Sequence, residues 1–344
     1  MIIPYQTAQV SFHKKERIGE NGENSEVYVV HDEHLDAELV VKQIKTDGFN
    51  EEQYLLEAQL LYKSTHPNVV QVLYACKDAQ HIYMAMPYYR NGSLHQVAEA
   101  QGLTCRRLIR YSIHFLSGLN NIHSKGLLHF DIKPDNILIS DSDEALLSDF
   151  GLAKNMDEDG FATPDATYRS HLPPESASTR DFDNSADIYQ VGLTLYRLLA
   201  GLDSIENQRR AFANGAALSA AQRKETYPDL SQLPLHTPKR LKAIIKKCLK
   251  FEPSTRYQSV MDLLNDLSSI DDLALDWQFS LVGNTQRWES ISSDGTTLLV
   301  EVSDNGRCTA QKRSADGAFR RKASFCEDNP TPERIHEVLM SPDW

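Results

Sequence analysis

The chain has 344 residues, 41% hydrophobic and 24% charged, and its 36 Lys and Arg against 48 Asp and Glu leave a net charge of -12. That length buries a large core and suits two units better than one, and the composition excludes collagen-like and low-complexity classes. The acidic balance argues against a surface that tracks nucleic acid or anionic lipid throughout, while leaving room for a local basic patch.

Residues 1–11 read as an N-terminal extension, and its opening, Met1–Gln6, lacks the charged and apolar regions of a signal peptide. Val27–Val30 and Glu38–Lys42 are short β-branched runs separated by the polar His31–Asp36 stretch, a hairpin pattern. Glu51–Lys63 contains no Gly or Pro and sets Tyr54, Ala58 and Leu61 on one helical face. After His66-Pro67-Asn68, Val69–Tyr74 and His81–Met86 read as strands. Five strands and one helix are expected to make a small lobe over residues 12–87.

From Ser93 the pattern turns helical. Arg107–Ser124 carries Leu108, Ile109, Ile113, Leu116, Leu119 and Ile122 on one broad face, and further helices are expected near 185–200, 238–250 and 259–270. The longest apolar stretch, Val191–Leu202, is broken by Thr194, Tyr196 and Arg197 and reads as a buried core helix, not a membrane span. Residues 88–270 thus form a mostly helical lobe. A second change comes near Asp271-Asp272. Trp277–Val282, Thr296–Val302, Arg307–Arg313 and Phe319–Phe325 alternate again, separated by turns at Gly283-Asn284, Asp294-Gly295, Asn305-Gly306 and Asp316-Gly317. Thr331 as N-cap and Pro332 at the first helical position predict a closing helix. Residues 271–344 read as a small antiparallel sheet closed by one helix, which makes the fold class of the whole chain α+β.

Five cysteines, Cys76, Cys105, Cys248, Cys308 and Cys326, form no CxxC pair and are odd in number. This points away from zinc and a disulfide framework, towards reduced thiols in a cytoplasmic setting.

The most specific chemistry lies in His129-Phe130-Asp131-Ile132-Lys133-Pro134-Asp135-Asn136 and in Asp149-Phe150-Gly151, thirteen residues after Asn136. Any one acid here could serve a turn, but the set could not. Asp131 and Asn136 stand five apart with Lys133 between them, and strand-like Ile137–Ile139 and Ala145–Leu147 lead to Asp149. Phosphoryl transfer needs phosphates held, their charge neutralised and a hydroxyl aligned, and other segments offer parts for this. Ile18 to Val27 holds Gly19 and Gly22 ahead of a strand, where glycines let backbone N–H groups approach phosphates; taken alone, an ordinary Gly-containing turn between strands is the commoner explanation. Lys42 ends the apolar Leu39-Val40-Val41-Lys42, and Glu57 follows fifteen residues later on the small-lobe helix.

On these residues the chain resembles the eukaryotic-like (Hanks-type) Ser/Thr protein kinases from about Phe12 to Ile270, which implies a bilobal fold with ATP between the lobes. The resemblance makes Asp131 the residue that receives or orients the substrate hydroxyl proton and Lys133 the neutraliser of the γ-phosphate. It makes Asn136 and Asp149 ligands of Mg²⁺, with Mn²⁺ as an alternative. It implies an ATP-binding set of Ile18, Gly19, Gly22, Ser25, Val27, Val40, Lys42, Glu57, Met86, Tyr88, Tyr89 and Leu138. Within that set Met86 is the gatekeeper, Pro87-Tyr88-Tyr89 the hinge, and Lys42 and Glu57 an ion pair. Leu61, Val72, His129 and Phe150 are expected to stack between the lobes. Pro173-Pro174-Glu175, the Asp187–Gly192 helix and Arg256, placed to pair with Glu175, favour a protein kinase over a small-molecule kinase. Lys133 points to Ser/Thr substrates.

Three features depart from the family pattern. Ser25 takes the third glycine position and one extra residue separates Gly19 from Gly22. Phe130 replaces the Arg that in many kinases pairs with an activation-segment phosphate. The stretch around Thr167–His171 fits the usual substrate-docking pattern poorly. The expectation is a non-specific Ser/Thr protein kinase that needs no phosphate on Thr163, Thr167, Tyr168 or Ser170, with a pseudokinase scaffold as the competing reading. In the tail, Lys312, Arg313, Arg320, Arg321 and Lys322 flank Asp316-Gly317. They read as a solvated, edge-protecting hairpin or as a docking surface for an acidic partner, nucleic acid or the kinase lobe.

Overall fold

The structure, a computed structural model, describes residues 10–18, 25–45, 58–164, 171–271 and 274–344. The small lobe is an antiparallel sheet of β1 (Phe12–Ile18), β2 (Ser25–Asp32), β3 (Ala37–Lys45), β4 (Tyr74–Lys77) and β5 (His81–Pro87), in the order β1-β2-β3-β5-β4. The β2–β3 hairpin closes because Asp32 accepts hydrogen bonds from the amides of His34 and Leu35, both at 3.0 Å. Along β3 the side chains alternate. Leu39 and Val41 join Val30 and Ala85 beneath Phe12, Tyr28 and Tyr74 on the outer face, which leaves Val40 and Lys42 on the other face.

Residues 58–63 form a helical segment (α1) with Ala58 and Leu61 buried, as their spacing requires; Tyr54 lies outside the described residues. The strand expected over Val69–Tyr74 instead starts at Tyr74. Val69 bridges Leu147 in the other lobe, and the Val70 amide bonds to Leu147 O at 2.9 Å. Consecutive residues buried on both sides cannot alternate between a core and a solvated face, so this run joins the lobes rather than pairing within one.

The large lobe contains α2 (Leu94–Gln101), α3 (Cys105–Ser124), α4 (Asn184–Ala200), α5 (Ser204–Arg210), α6 (Gly215–Arg223), α7 (Lys239–Cys248) and α8 (Val260–Ser268). Helix α3 begins two residues before the expected start because Thr104 caps it, its hydroxyl accepting from the Arg107 amide at 3.2 Å. Gly118 on this helix lets the backbone of Asn68 approach, since a Cβ there would meet Asn68 O at 2.3 Å. Two short antiparallel pairs, β6 (Leu127–Leu128) with β9 (Lys154–Asn155) and the hairpin of β7 (Ile137–Ile139) with β8 (Ala145–Leu147), carry the loops that matter below. Among the described residues no helix is long and apolar enough to cross a membrane.

The tail folds as β10 (Gln278–Val282), β11 (Thr285–Ile291), β12 (Thr297–Val302), β13 (Arg307–Arg313) and β14 (Arg320–Arg321), with β15 (Glu327–Asp328) also on β13 and α9 (Pro332–Leu339) closing one face. Three details differ from expectation: strands β11 and β15 were not anticipated, and Phe319–Phe325 is mostly not a strand. Only Arg320 and Arg321 pair, and a 3₁₀ turn over Ala323–Phe325 tucks Phe325 into the core. Trp277, Trp288, Val300, Ala310, Phe325 and Leu339 form a core separate from that of the large lobe. Trp277 donates its indole N–H to Leu339 O at 2.7 Å, which locks the sheet to α9. The module rests on the large lobe through Arg106, whose Nε donates to both carboxylate oxygens of Asp276 at 2.9 and 2.8 Å, and through His336, which donates from Nδ1 to Leu235 O at 2.6 Å.

Candidate active site

The loop from His129 to Asn136 is held by α4 from below. Asp187, fully buried, accepts the backbone amides of His129 and Phe130, each at 2.8 Å, and a third bond from His123 Nε2 at 2.7 Å. Burial pushes this carboxyl up, but the His123 contact and the amides outweigh it and leave the group below its ordinary range. One turn on, Gln190 accepts from the Ile132 amide (2.9 Å) and donates to Phe130 O (2.8 Å), and Thr194 donates to Ile132 O (3.1 Å). These bonds fix Phe130 in a left-handed conformation, φ 64°, sparsely populated for a large side chain.

That backbone aims three polar side chains at one point. Lys133 Nζ and Asn136 Nδ2 both donate to Asp131 Oδ2, at 2.8 and 2.7 Å. Asp131 Oδ1 is buried and has no hydrogen-bond partner among the described residues. Burial works against the charge on Lys133, and the Asp131 carboxylate overcomes it, so the ammonium is held more firmly than usual. Across the cleft, Lys42 on β3 donates to Asp149 Oδ1 at 3.2 Å. The Lys42 charge, helped by Lys133, holds the Asp149 carboxyl down at about 2. Asp149 also has a left-handed backbone, φ 61°. Next to it Phe150 packs edge-on against His129 with ring centroids 5.0 Å apart, and Leu61 and Val72 are buried in the same core as Phe150.

The remaining expected residues fall around this cleft. Ile18 ends β1 opposite Val27, and Ser25 and Val27 lie on β2, with Val27 paired to Lys42. Val40 sits across from Met86 at the end of β5, Tyr88 and Tyr89 follow that strand directly, and Leu138 lies on β7. Gly19, Gly22 and Glu57 lie outside the described residues, as do Thr167, Tyr168 and Ser170. The structure therefore gathers Lys42, Asp131, Lys133, Asn136 and Asp149, while the expected Lys42–Glu57 pair is outside its reach.

Comparison with known proteins decides the family. The protein kinase domain matches residues 12–267. This chain belongs to the protein kinase family. It is 28% identical over 263 residues to a probable serine/threonine-protein kinase of Clostridium acetobutylicum, covering 74% of this chain and 39% of that protein. It is 27% identical to serine/threonine-protein kinase AtPK1/AtPK6 of Arabidopsis thaliana (69% and 50%) and 26% identical to serine/threonine-protein kinase PknD of Protochlamydia amoebophila (83% and 32%). The chain spans half or less of the length of these relatives, and residues 268–344 lie beyond the matched family domain.

Within the kinase domain, the end of the activation segment is tied down by Arg256. Its guanidinium grips Glu175 at 2.6 and 2.8 Å and also donates to Ser185 O, Phe251 O and Lys250 O. Phe130 occupies an apolar nest with Leu128, Ala162, Phe182 and Ala186, and its ring meets Phe182 edge-on at 5.9 Å. Sequence reasoning named the Asp187–Gly192 segment, Gln190 within it, as resembling the anchor of this loop, and missed Thr194 and His171 as further supports. His171 is fully buried, donates from Nδ1 to Ile132 O (2.9 Å) and accepts at Nε2 from Arg197 (3.0 Å). Burial and the Arg197 charge push its pKa down to about 3, so the ring is neutral. A lone histidine in an irregular segment carries no pattern that could have announced this.

Proposed function

We propose that the chain transfers the γ-phosphoryl group of ATP to Ser and Thr hydroxyls of protein substrates. The reading rests on the unequal oxygens of Asp131. Oδ2 is saturated by Lys133 and Asn136, whereas Oδ1 is a buried acceptor with no partner among the described residues. A substrate hydroxyl donating to Oδ1 satisfies that atom, and its proton passes there as the oxygen attacks phosphorus. Such a base contributes on the order of a hundred- to ten-thousandfold. Lys133, 2.8 Å from the same carboxylate, neutralises charge on the transferring group, and Lys42 holds the phosphates behind it.

Asp149 and Asn136 supply a carboxylate and a carboxamide oxygen, hard donors suited to Mg²⁺ and, second, Mn²⁺. The Nδ2 of Asn136 is engaged by Asp131, which leaves its oxygen to a metal. The metal, when bound, neutralises phosphate charge. Ile18, Val27, Val40, Met86 and Leu138 wall the adenine, and Tyr88 and Tyr89 offer it backbone. Residues 12–270 act as the catalytic domain and 271–344 as an accessory one, in a cytoplasmic setting that suits five free thiols.

We further infer activity without activation-segment phosphorylation. Phe130 offers no cation to a phosphate, and its apolar nest anchors the segment instead. Partner docking falls to the tail. Arg287 bridges Glu289 and Glu301, and Arg334 bridges Glu327 and Glu337, whereas Arg307, Lys312, Arg313, Arg320, Arg321 and Lys322 form no ion pair among the described residues. Unpaired cations on an acidic chain suit an acidic protein segment better than nucleic acid, which the net charge of -12 repels.

Labelling with [γ-³²P]ATP of the wild type against Asp149→Ala tests the activity. Equal labelling would favour the scaffold reading. Substituting Thr163, Thr167 and Ser170 by Ala with Tyr168 by Phe tests the regulation, and loss of activity with an intact fold would overturn it.

A further inference from the structure

Thr163 lies exposed in the segment between Asp149 and Glu175, and its hydroxyl has a side-chain partner. Its Oγ1 donates to Asp181 Oδ1 at 2.5 Å. Beside it, Ala162 and Phe182 exchange both backbone hydrogen bonds, at 2.8 and 3.0 Å. Those two residues pack on Phe130, the neighbour of Asp131. Asp181 is held in place by its own amide, which bonds to Thr179 Oγ1 at 3.0 Å. Among the described residues no cation pairs with Asp181, and the stretch from Asn155 to Pro164 carries Asp157, Glu158 and Asp159 with no Lys or Arg.

We propose that Thr163 is an inhibitory phosphorylation site: a phosphate there releases the segment from the catalytic loop. The donor is ATP, used by a second copy of this chain or by another Ser/Thr kinase. The bond between the γ-phosphorus and the oxygen bridging to ADP breaks, a bond from phosphorus to Oγ1 forms, and the hydroxyl proton passes to the proton-accepting carboxylate of the phosphorylating kinase (Asp131 in a second copy) and on to solvent. The product has lost the donor that Asp181 accepted and carries about -1.5 to -2 charge beside a fixed carboxylate. Two like charges at hydrogen-bond distance cannot share that site, so the Ala162–Phe182 bridge opens and Phe130 loses its backing. An Arg in place of Phe130 would offer the phosphate a cation. Phenylalanine reverses the sign of the response. The inference rests on the reading of this chain as a kinase that is active with its segment unphosphorylated.

The test is the full chain carrying phosphothreonine at 163, introduced by genetic encoding, compared with the same sample after phosphatase treatment and with Thr163→Ala. Turnover is measured on dephosphorylated casein, and hydrogen exchange on peptides covering 157–164 and 181–186. The phosphorylated chain is expected to lose roughly ten- to a hundredfold in kcat, the usual range of coupling between a regulatory group and an active site. Its Ala162 and Phe182 amides should exchange faster, phosphatase should restore both, and Thr163→Ala should stay within about twofold of wild type in kcat, as a substitution at an exposed hydroxyl does. Unchanged exchange, or a phosphorylated chain as active as the unphosphorylated one, overturns this proposal alone. A chain active only when phosphorylated overturns both it and the phosphate-independent reading.

Discussion

Arg256 and Glu175, 81 residues apart, meet in a two-pronged contact at 2.6 and 2.8 Å that joins the end of the activation segment to the floor of the large lobe. The Arg256 side chain is fully buried, so its charge depends on that partner and on three carbonyls. Glu175→Ala should cost about 3–5 kcal/mol, the penalty for stranding a buried charge. Replacing both residues by apolar ones of similar volume should cost less than the single change, as urea denaturation of all three variants would reveal.

Asp131→Asn keeps the shape of the His129–Asn136 loop and removes the proposed proton acceptor. We expect kcat to fall by roughly 10²–10⁴, while KM for ATP, set mainly by other residues, moves by less than about threefold. Steady-state kinetics on a protein substrate separates the two; an equal rise in KM would assign Asp131 to binding.

Lys42→Met should be visible in a titration. The Lys42 charge favours the Asp149 carboxylate and holds its pKa at about 2, against an ordinary 3.8. A lowered pKa means a stabilising contribution that is fully present above about pH 4 and fades as pH falls towards 2. Carbon-detected NMR of the carboxyl group should therefore show the midpoint rise in the variant. The stability difference between variant and wild type should shrink across the same acid window.

Phe130→Ala should leave a cavity among Leu128, Phe182 and Ala186 and cost about 3–5 kcal/mol, the usual range for a buried aromatic. Phe130→Arg should be destabilising as well, because it buries an unpaired guanidinium in an apolar nest. Chemical denaturation of the two variants, with the activity of the folded fraction, distinguishes this packing role from a catalytic one.

The legible part of the site was the part in which chemistry is contiguous. Asp131, Lys133 and Asn136 sit within six residues, and backbone geometry alone brings them together. Their supports were harder to read. Gln190 and Thr194 contact the loop from 58 to 62 residues away, and only α4, buried on nearly every side, makes that possible. In the fold, α6 went unseen because it fully buries none of its residues and packs on the core only through Leu218 and Ala221, too short a stripe to mark a helical period. Strand β11 hid for a related reason: Arg287 and Glu289 alternate with Trp288 and Ser290, and the one large apolar residue among them is too little to mark a period of two. Val69 and Val70 misled because β-branched residues fit the passage between lobes as well as they fit a strand.

Helix α3 has 20 residues, a rod about 30 Å long. At its first turn Arg106 clasps Asp276 of the tail module, and at its last His123 braces the carboxylate that holds the catalytic loop. No glycine kink or proline interrupts the span except Gly118, which is packed against Asn68. The kinase domain and its appendage thus share a single strut, with the clasp on the tail module at one end and the brace of the bracket under Asp131 at the other.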